Sequence, residues 1–327
     1  MKLRHYVPLL TVIVFYACAG QAPPQRPVLV QYAEPRTGTT QLTDSLSIPE
    51  EDAGYTLLLP EKGAPKAVVV MFAAGRDTTD ATDEMRLYVE AIKRQVAVLY
   101  LTSGNRVEFL FDEAVYAQLD GYLHKAITEH NLPADRLLFA GMSLAGTRAL
   151  KMGIWCMQGK SAFHIRPKAV ATCDAPLDFV RFWKALDRSK RLQFEPVGAG
   201  EAAWVTAVLE RHFSGTPEDH PEAYRQFSPF CHDLDNGGNI QALGTIAFRA
   251  YTEPDVQWWM DNRGADFYSM NALDAAGAVN ELRLAGNKNA ALILSNNKGR
   301  RPDGSRHPHS WSVVDNGELV EWLLGLR

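Results

Sequence analysis

The 327-residue sequence has few cysteines, no long apolar run and no large excess of charge of either sign. Its 34 basic and 38 acidic side chains give a formal charge of −4. Nucleic-acid binders need a basic face to offset phosphate, so this balance argues against a nucleic-acid partner. Apolar residues make up 46% and charged residues 22%, close to the globular average, which argues against a disordered chain, collagen or coiled coil.

The longest apolar run near the start is too short to span a membrane. Lys2 and Arg4 precede the run Val7 to Ala17, and a spanning helix needs roughly 20 residues. A short positive segment followed by such a run is typical of a signal peptide, which we predict over residues 1–17.

The end of this run holds the first of the four cysteines. Phe15-Tyr16-Ala17-Cys18 resembles a bacterial lipobox, which predicts a lipid on Cys18 and an extracytoplasmic protein held at a bacterial membrane by that lipid only. The alternative is cleavage at Ala17-Cys18-Ala19, which would release a periplasmic or secreted protein. The next residues, to about Ser45, are rich in Gln, Pro, Thr and Gly, so residues 18–45 are predicted to be a tether.

The other three cysteines are Cys156, Cys173 and Cys231. Their spacing fits no zinc pattern, and an odd number cannot all pair within one chain. We expect buried thiols, with one disulfide possible in an oxidising compartment. No metal and no cofactor is predicted.

Short apolar runs alternate with amphipathic segments along residues 46–327. The predicted strands include Ala67–Phe72, Val96–Leu101, Arg136–Ala140, Lys168–Thr172, Thr245–Thr252 and Ala290–Leu294. Continuous apolar strands separated by helices indicate an α/β domain with a mostly parallel central sheet that is covered by helices on both faces.

One connection in this domain is too long for a loop. About seventy residues separate the strands that end at Thr172 and begin at Thr245, so they need structure of their own. We predict a helical cap insertion at about 175–243 that covers the carboxyl edge of the sheet, where open α/β sheets bind ligands. A decorative insertion away from the site is the alternative.

A glycine- and serine-containing turn follows the strand that begins at Arg136. Gly141-Met142-Ser143-Leu144-Ala145-Gly146 joins this strand to a predicted helix. The stretch resembles the nucleophile elbow of the α/β-hydrolase superfamily, G-x-S-x-G, although Ala145 stands at the last position. Small residues are needed there because strand and helix approach closely, and the helix N-terminus directs backbone N–H groups toward a developing oxyanion.

The resemblance implies that an acid and a histidine follow the serine in that order. Glu253 and Asp255 follow the strand that ends at Thr252, and Asp255 is predicted to be the acid, with Glu253 as the alternative. Asp174 and Asp178, after the preceding strand, are less favoured.

The histidine is expected in the loop after the last strand, before the terminal helix. That loop holds His307 and His309, and His309 is favoured because it lies closer to the helix-entering segment Ser310-Trp311.

The resemblance implies a reaction as well as a fold. Ser143 would attack an acyl carbonyl, His309 would move its proton, and Asp255 would orient the imidazole. The oxyanion hole would use the N–H groups of Leu144 and Gly75, with Ala74 or Arg76 as alternatives to Gly75.

The predicted function is therefore a serine hydrolase that cleaves an ester, whether of a small molecule, a glycan or a peptide. The alternatives are a peptidase of the same fold and a non-catalytic ligand-binding lipoprotein. Oligomeric state is not predicted.

Overall fold

The alternating strands and helices build one eight-stranded sheet in a computed structural model that describes residues 27–72 and 86–327. The strands, including those of a separate hairpin, are β1 Val28–Glu34, β2 Thr39–Thr43, β3 Leu46–Pro49, β4 Ala53–Leu59, β5 Ala67–Phe72, β6 Val96–Thr102, β7 Leu137–Met142, β8 Ala169–Cys173, β9 Ala247–Thr252 and β10 Ala290–Leu294. The order across the sheet is β1-β4-β6-β5-β7-β8-β9-β10, and β2 pairs with β3.

Most of the sheet is parallel, as predicted. β1 and β4 run antiparallel to their neighbours, and every other pair from β6 to β10 is parallel. All residues of β5, β6 and β8 are buried, because both faces of these strands are covered.

Helices cover both faces of the sheet. They are α1 Leu87–Lys93, α2 Glu113–Glu129, α3 Ser143–Met157, α4 Phe179–Leu192, α5 Pro196–Phe213, α6 Pro221–Phe227, α7 Val256–Arg263, α8 Ala272–Leu284 and α9 Asn316–Gly325. One apolar cluster joins the sheet to α2, α3 and α8, and a second joins its other face to α1 and α9. The predicted α/β layering is thereby confirmed.

The predicted tether is wrong over the residues that the structure describes. β1 and β2 lie inside the segment 18–45, and β1 pairs with β4 from Val28 opposite Leu59 to Glu34 opposite Ala53. Val30 and Tyr32 pack against the core while Leu29 is 52% exposed, so β1 follows the two-residue alternation of an edge strand. The Gln, Pro and Thr residues around β1 make that alternation difficult to recognise in the sequence. The folded domain includes residues 28–45.

The long connection between β8 and β9 contains α4, α5, α6 and the 3₁₀ stretch Asp235–Leu243. Its helices share a third apolar cluster, which includes Phe179, Trp183, Leu209 and Tyr224 and also Leu42 and Phe109 from outside the connection. This packing supplies the structure that a connection of such length requires.

The described residues also answer the expectations on cysteines. Cys156, Cys173 and Cys231 are buried, and no disulfide joins them within these residues. Burial raises the pKa of the Cys156 thiol, and burial also raises that of Cys231 to about 12, so both are protonated at neutral pH.

The described residues contain neither a membrane-spanning helix nor a metal-binding cluster. None of the helices there is long and apolar enough to cross a bilayer. No group of three or more His, Cys, Asp or Glu side chains in the same part of the chain is arranged to hold a metal ion.

Candidate active site

Ser143 lies on a sharp turn between β7 and α3. β7 ends at Met142, and Ser143 is the first residue of α3. Its φ of 52° lies in the left-handed region, which non-glycine residues rarely occupy and which often marks a functional site. The strand-to-helix turn predicted for residues 141–146 is therefore present.

The close contact in this turn involves Gly141 and Gly146. A Cβ on Gly146 would lie 2.7 Å from the Gly141 carbonyl oxygen and 2.9 Å from the Ala175 Cβ. A Cβ on Gly141 would lie 2.4 Å from the Ala145 carbonyl. The position that must be glycine is thus 146 rather than 145, which explains why Ala145 is accepted within the elbow.

Asp174 occupies the equivalent position at the end of the neighbouring strand. Met142 and Cys173 pair across β7 and β8, and Ser143 and Asp174 directly follow this pair. Because parallel strands lie about 4.8 Å apart, the two residues emerge side by side at the carboxyl edge of the sheet.

The Asp174 carboxylate is held by several hydrogen bonds. Thr252 Oγ1 donates to its Oδ1 at 2.8 Å, and its Oδ2 lies 2.6 Å from His309 Nδ1. The Asn271 side chain donates to the Asp174 carbonyl at 2.9 Å. A carboxylate accepts, so His309 Nδ1 carries the donated proton and Nε2 is the nitrogen that can take another.

The residues that follow Asp174 are anchored by a buried ion pair. Asp274 is fully buried and contacts Arg181, and its Oδ2 accepts from the backbone N–H groups of Leu177 and Asp178, each at 3.0 Å. Breaking such a pair would leave an uncompensated buried charge, so the loop is firmly fixed.

His309 is electrostatically prepared to act as a base. Burial lowers the pKa of its imidazole, but the hydrogen bond and charge of Asp174 raise it by more, with Glu201 adding to the rise and Arg301 opposing it. The pKa of His309 therefore lies above its ordinary value. Within the described residues no hydrogen bond joins the imidazole to Ser143 Oγ. Such contacts are often long in unliganded sites and shorten when substrate binds.

The prediction that Asp255 orients the histidine is wrong. Its Oδ2 accepts from Arg306 at 2.7 Å, and its Oδ1 accepts from the Trp258 N–H at the start of α7. Asp255 is thus a helix cap and an ion-pair partner, while Asp174 contacts His309.

Glu253, the alternative acid, anchors the loop that carries the histidine. Its side chain is 1% exposed, and it accepts from Ser295 Oγ at 2.7 Å, the Lys298 N–H at 2.8 Å and the Gly299 N–H at 3.1 Å. Arg306 contacts it as well. Burial raises the pKa of Glu253, but these donors and the Arg306 charge outweigh burial and hold the pKa below its usual range.

His307 is a neutral acceptor rather than a second base. Arg263 and Arg301 each donate to its Nε2 at 3.2 Å, and its Nδ1 lies 3.0 Å from the His309 carbonyl oxygen. Arginine only donates and a carbonyl only accepts, so the proton sits on Nδ1. Burial and the positive charges of Arg301, His309 and Arg263 lower the pKa of His307 to about 4.

Of the remaining predicted site residues, the described part of the chain includes Leu144. Leu144 is in the first turn of α3, where backbone N–H groups have no acceptor within the helix. Gly75, its alternatives Ala74 and Arg76, and Cys18 lie outside the described residues. β5, which ends at Phe72, pairs with the elbow strand β7.

A cavity of about 440 Å³ opens between the elbow and the helices α4, α5 and α7. Met142, the residue before Ser143, and His309 both line it. The other lining side chains include Phe182, Leu186, Arg188, Glu195, Val197, Glu201, Trp259, Arg263, Arg301 and His307. Residues of the insertion therefore form much of the wall beside the candidate histidine.

Asp174, one of the less favoured candidates for the acid, is the carboxylate that contacts His309. The available signal was its position directly after the strand that follows the serine strand in sequence. That position places Asp174 beside Ser143 whenever the two strands are neighbours, as β7 and β8 are.

Solved structures with this architecture include several hydrolases. Carboxyl esterase 2 from the mycorrhizal fungus Tuber melanosporum matches with a TM-score of 0.55 at 10% identity, covering 94% of this chain and 88% of that chain. A truncated carbohydrate esterase from gut microbiota gives 0.54 at 12% identity, covering 93% and 98%. An acylaminoacyl peptidase from Pyrococcus horikoshii gives 0.51 at 10% identity, covering 92% of this chain and 41% of that longer chain.

No family model and no curated protein matches the sequence. At these identities the structural likeness concerns the fold, and the chain has the α/β-hydrolase fold that its elbow sequence indicated.

Proposed function

We propose that the protein is a serine hydrolase that cleaves a carboxylic ester through an acyl-enzyme. The observation that carries the proposal is the 2.6 Å contact between His309 Nδ1 and Asp174, beside a serine whose φ is 52°. A base oriented by a carboxylate, next to a nucleophile on a strained turn, is the arrangement that acyl transfer requires.

The reaction divides between three side chains. Ser143 Oγ attacks the ester carbonyl carbon while His309 Nε2 takes the hydroxyl proton. The imidazolium then gives this proton to the departing alkoxide, which leaves as the alcohol. Water attacks the acyl-enzyme with the same base, releasing the acid and restoring Ser143. Asp174 keeps the proton on Nδ1 and stabilises the imidazolium in both steps.

The start of α3 supplies one donor to the tetrahedral intermediate. The Leu144 N–H lies in the first helical turn, where the helix dipole also favours negative charge. A second donor from the segment after β5 is proposed at Gly75. No metal is required by this chemistry.

Covalent labelling tests the proposal. A fluorophosphonate should modify the full chain once, and mass spectrometry should map the adduct to Ser143. Ser143→Ala should abolish labelling and reduce ester hydrolysis by about 10⁴-fold or more. The matched control is Ser305→Ala, an exposed serine, which should label like the wild type. An adduct that persists in Ser143→Ala would end the proposal.

Two further assays separate the alternatives. If the protein hydrolyses aminoacyl amides but does not hydrolyse short-chain esters, it is a peptidase. Binding without turnover of either class would make it a ligand-binding protein on a hydrolase scaffold.

We also propose that the protein is a lipoprotein, held outside the cytoplasm by a lipid on Cys18. Support comes from Phe15-Tyr16-Ala17-Cys18, and only nine residues separate Cys18 from β1. Lipid labelling in a bacterial host should disappear in Cys18→Ser, and a label that persists in this variant would refute the anchor.

A further inference from the structure

Thr252, the last residue of β9, contacts the Asp174 carboxylate on the oxygen that does not face His309. Thr252 Oγ1 lies 2.8 Å from Asp174 Oδ1, while Asp174 Oδ2 lies 2.6 Å from His309 Nδ1. An ionised carboxylate only accepts, so the threonine hydroxyl is the donor in the first contact and the imidazole is the donor in the second. Each oxygen of Asp174 is therefore held by a side-chain donor.

Both partners of the first contact are shielded from water. Thr252 is 1% exposed and Asp174 is 7% exposed. A hydrogen bond to an ionised group is stronger than one between neutral groups, and a buried acceptor that loses its donor carries a full desolvation cost. The contact between Thr252 and Asp174 is therefore strong enough to orient the carboxylate.

The carboxylate plane has no strong preference of its own. The torsion about the Cβ–Cγ bond of an aspartate is broad, so a carboxylate held at one oxygen can still turn about this bond. A carboxylate held at both oxygens cannot turn without breaking a contact. The direction of Asp174 Oδ2 toward His309 thus depends on the Thr252 hydroxyl.

Other groups hold the backbone of Asp174. Its φ of 44° lies in the left-handed region. Its N–H donates to the Tyr251 carbonyl at 2.8 Å, and its carbonyl accepts from Asn271 Nδ2 at 2.9 Å. Asn271 Oδ1 accepts from Arg181 Nη2 at 3.2 Å, which orients this amide. Because these bonds do not use the Thr252 hydroxyl, its removal would release the carboxylate and leave the backbone in place.

We propose that Thr252 is a positioning residue for the reaction, whose hydroxyl fixes the plane of the Asp174 carboxylate so that the other oxygen stays on His309. Thr252 lies outside the lining of the cavity beside His309, so it acts through Asp174. The inference rests on the proposed ester hydrolysis and adds a fourth residue to it. The end of β9 then serves the site twice, since Thr252 holds the acid and Glu253 holds the histidine loop.

Two substitutions separate the hydroxyl of Thr252 from its shape. Thr252→Val keeps the branched shape and removes the donor, so kcat/KM for p-nitrophenyl acetate should fall about tenfold or more, as expected for a hydrogen bond to a charged group. Thr252→Ser keeps the donor and loses a methyl group, so it should stay within about threefold of the wild type. A role in packing alone predicts the reverse order, and either that order or equal rates in the two variants would overturn the inference. If Thr252→Val does not fold, Thr252→Ala takes its place, since it also lacks the hydroxyl.

The pKa of His309 gives a readout that a packing role would not move. In the described part of the chain, the titratable and charged side chains that contact His309 or line the cavity with it are Asp174, Arg188, Glu195, Glu201, Arg263, Arg301 and His307. Thr252→Val changes none of these charges. The hydrogen bond and charge of Asp174 raise the pKa of His309 against burial, so a carboxylate that turns away should lower this pKa. NMR titration of the imidazole measures it in the full chain. Thr252→Ser should match the wild type, and an unchanged or higher pKa in Thr252→Val would refute the orienting role.

A double-mutant cycle checks that Thr252 acts through Asp174. In the Asp174→Ala background, Thr252→Val should lower kcat/KM by less than about twofold, because no carboxylate remains to be oriented. The control is Thr206→Val in α5, which should keep the wild-type kcat/KM. Thr206 is also 1% exposed, and its hydroxyl donates to the Ala202 carbonyl at 2.9 Å. An equal loss from Thr252→Val in both backgrounds would show that its effect does not pass through Asp174.

The outcome stays distinct from that of the proposed function. If the wild type cleaves no ester, ester hydrolysis fails, but NMR titration still reports on the contact between Asp174 and His309. A pKa of His309 that falls in Thr252→Val and not in Thr252→Ser would then support the orienting hydrogen bond without the esterase. If esters are cleaved and this pKa is the same in all three proteins, the role of Thr252 fails and the proposed function stands.

Discussion

The neighbouring strands β8 and β9 are each followed by acidic residues, but these residues make different contacts. After β8, Asp174 contacts His309 at 2.6 Å. After β9, Glu253 and Asp255 both contact Arg306, and Glu253 also binds the backbone of the loop that leads to His309. The carboxylate after β8 contacts the imidazole of His309, while Glu253 after β9 binds the loop that carries this histidine.

The strand order explains the division. β8 lies between the serine strand β7 and β9, so its end is one strand closer to Ser143. The carboxylates beyond β9 contact Arg306 and the backbone of Lys298 and Gly299 instead. Strand position and the path of the loop together bring Asp174, and not Asp255, into contact with His309.

The largest effect should separate the two ends directly. Asp174→Asn should lower kcat/KM for an ester by about 10³- to 10⁴-fold, because the imidazole loses its orienting carboxylate and the charge that stabilises its protonated form. Asp255→Asn should cost less than about tenfold, since Arg306 keeps Glu253 as a partner. Steady-state rates of the two purified variants decide the comparison, and the reverse ranking would restore Asp255 as the acid.

At the β9 end, the Glu253 side chain should contribute to the stability of the fold. Glu253→Gln should lower the free energy of unfolding by about 1–3 kcal/mol, because a buried carboxylate with four donors is replaced by a group that cannot accept as strongly. Since the pKa of Glu253 lies below its usual range, this stabilisation is present above the unfolded pKa and is lost as pH falls through the folded one.

The control is an exposed ion pair. Glu318 contacts Arg249 at 2.6 and 2.7 Å, but its side chain is 51% exposed, so Glu318→Gln should cost about 1 kcal/mol or less. Urea unfolding measures both variants, and equal losses would show that burial of Glu253 contributes nothing.

How much of this site the sequence can predict depends on how far apart along the chain the interacting residues lie. The strands and the elbow follow from local apolar runs and from Gly141 and Gly146, which lie within a few residues of Ser143. The acid depends on a contact across 135 residues, between Asp174 and His309, and no local pattern records it. The edge strand β1 gives a weak sequence signal because only one of its faces is covered, and its flanking residues are polar or proline.

A comparable effect on stability should follow from the tight contact in the elbow. Gly146→Ala should destabilise the fold by about 1–3 kcal/mol, because the new Cβ would lie 2.7 Å from a backbone oxygen that cannot move aside. Ala145→Gly should cost about 1 kcal/mol or less, as expected for helix propensity alone. Thermal unfolding compares them, and a harmless Gly146→Ala would mean that the turn relaxes.

The smallest effect concerns the pH at which the base becomes active. His309 must be neutral to take the Ser143 proton, so kcat/KM should fall as pH falls through its pKa. The Asp174 contact raises this pKa above the ordinary value of about 6.5, and the acidic limb should lie above that pH. In Asp174→Asn the residual activity should show a limb at lower pH, because burial then acts on the imidazole without the compensating charge. Asp255→Asn should leave the limb in place, since Asp255 contacts Arg306 and α7 instead. If the acidic limb of the kcat/KM profile shifts in Asp255→Asn and not in Asp174→Asn, the His309 pKa is set by Asp255 after β9. The roles of the two strand ends would then be reversed.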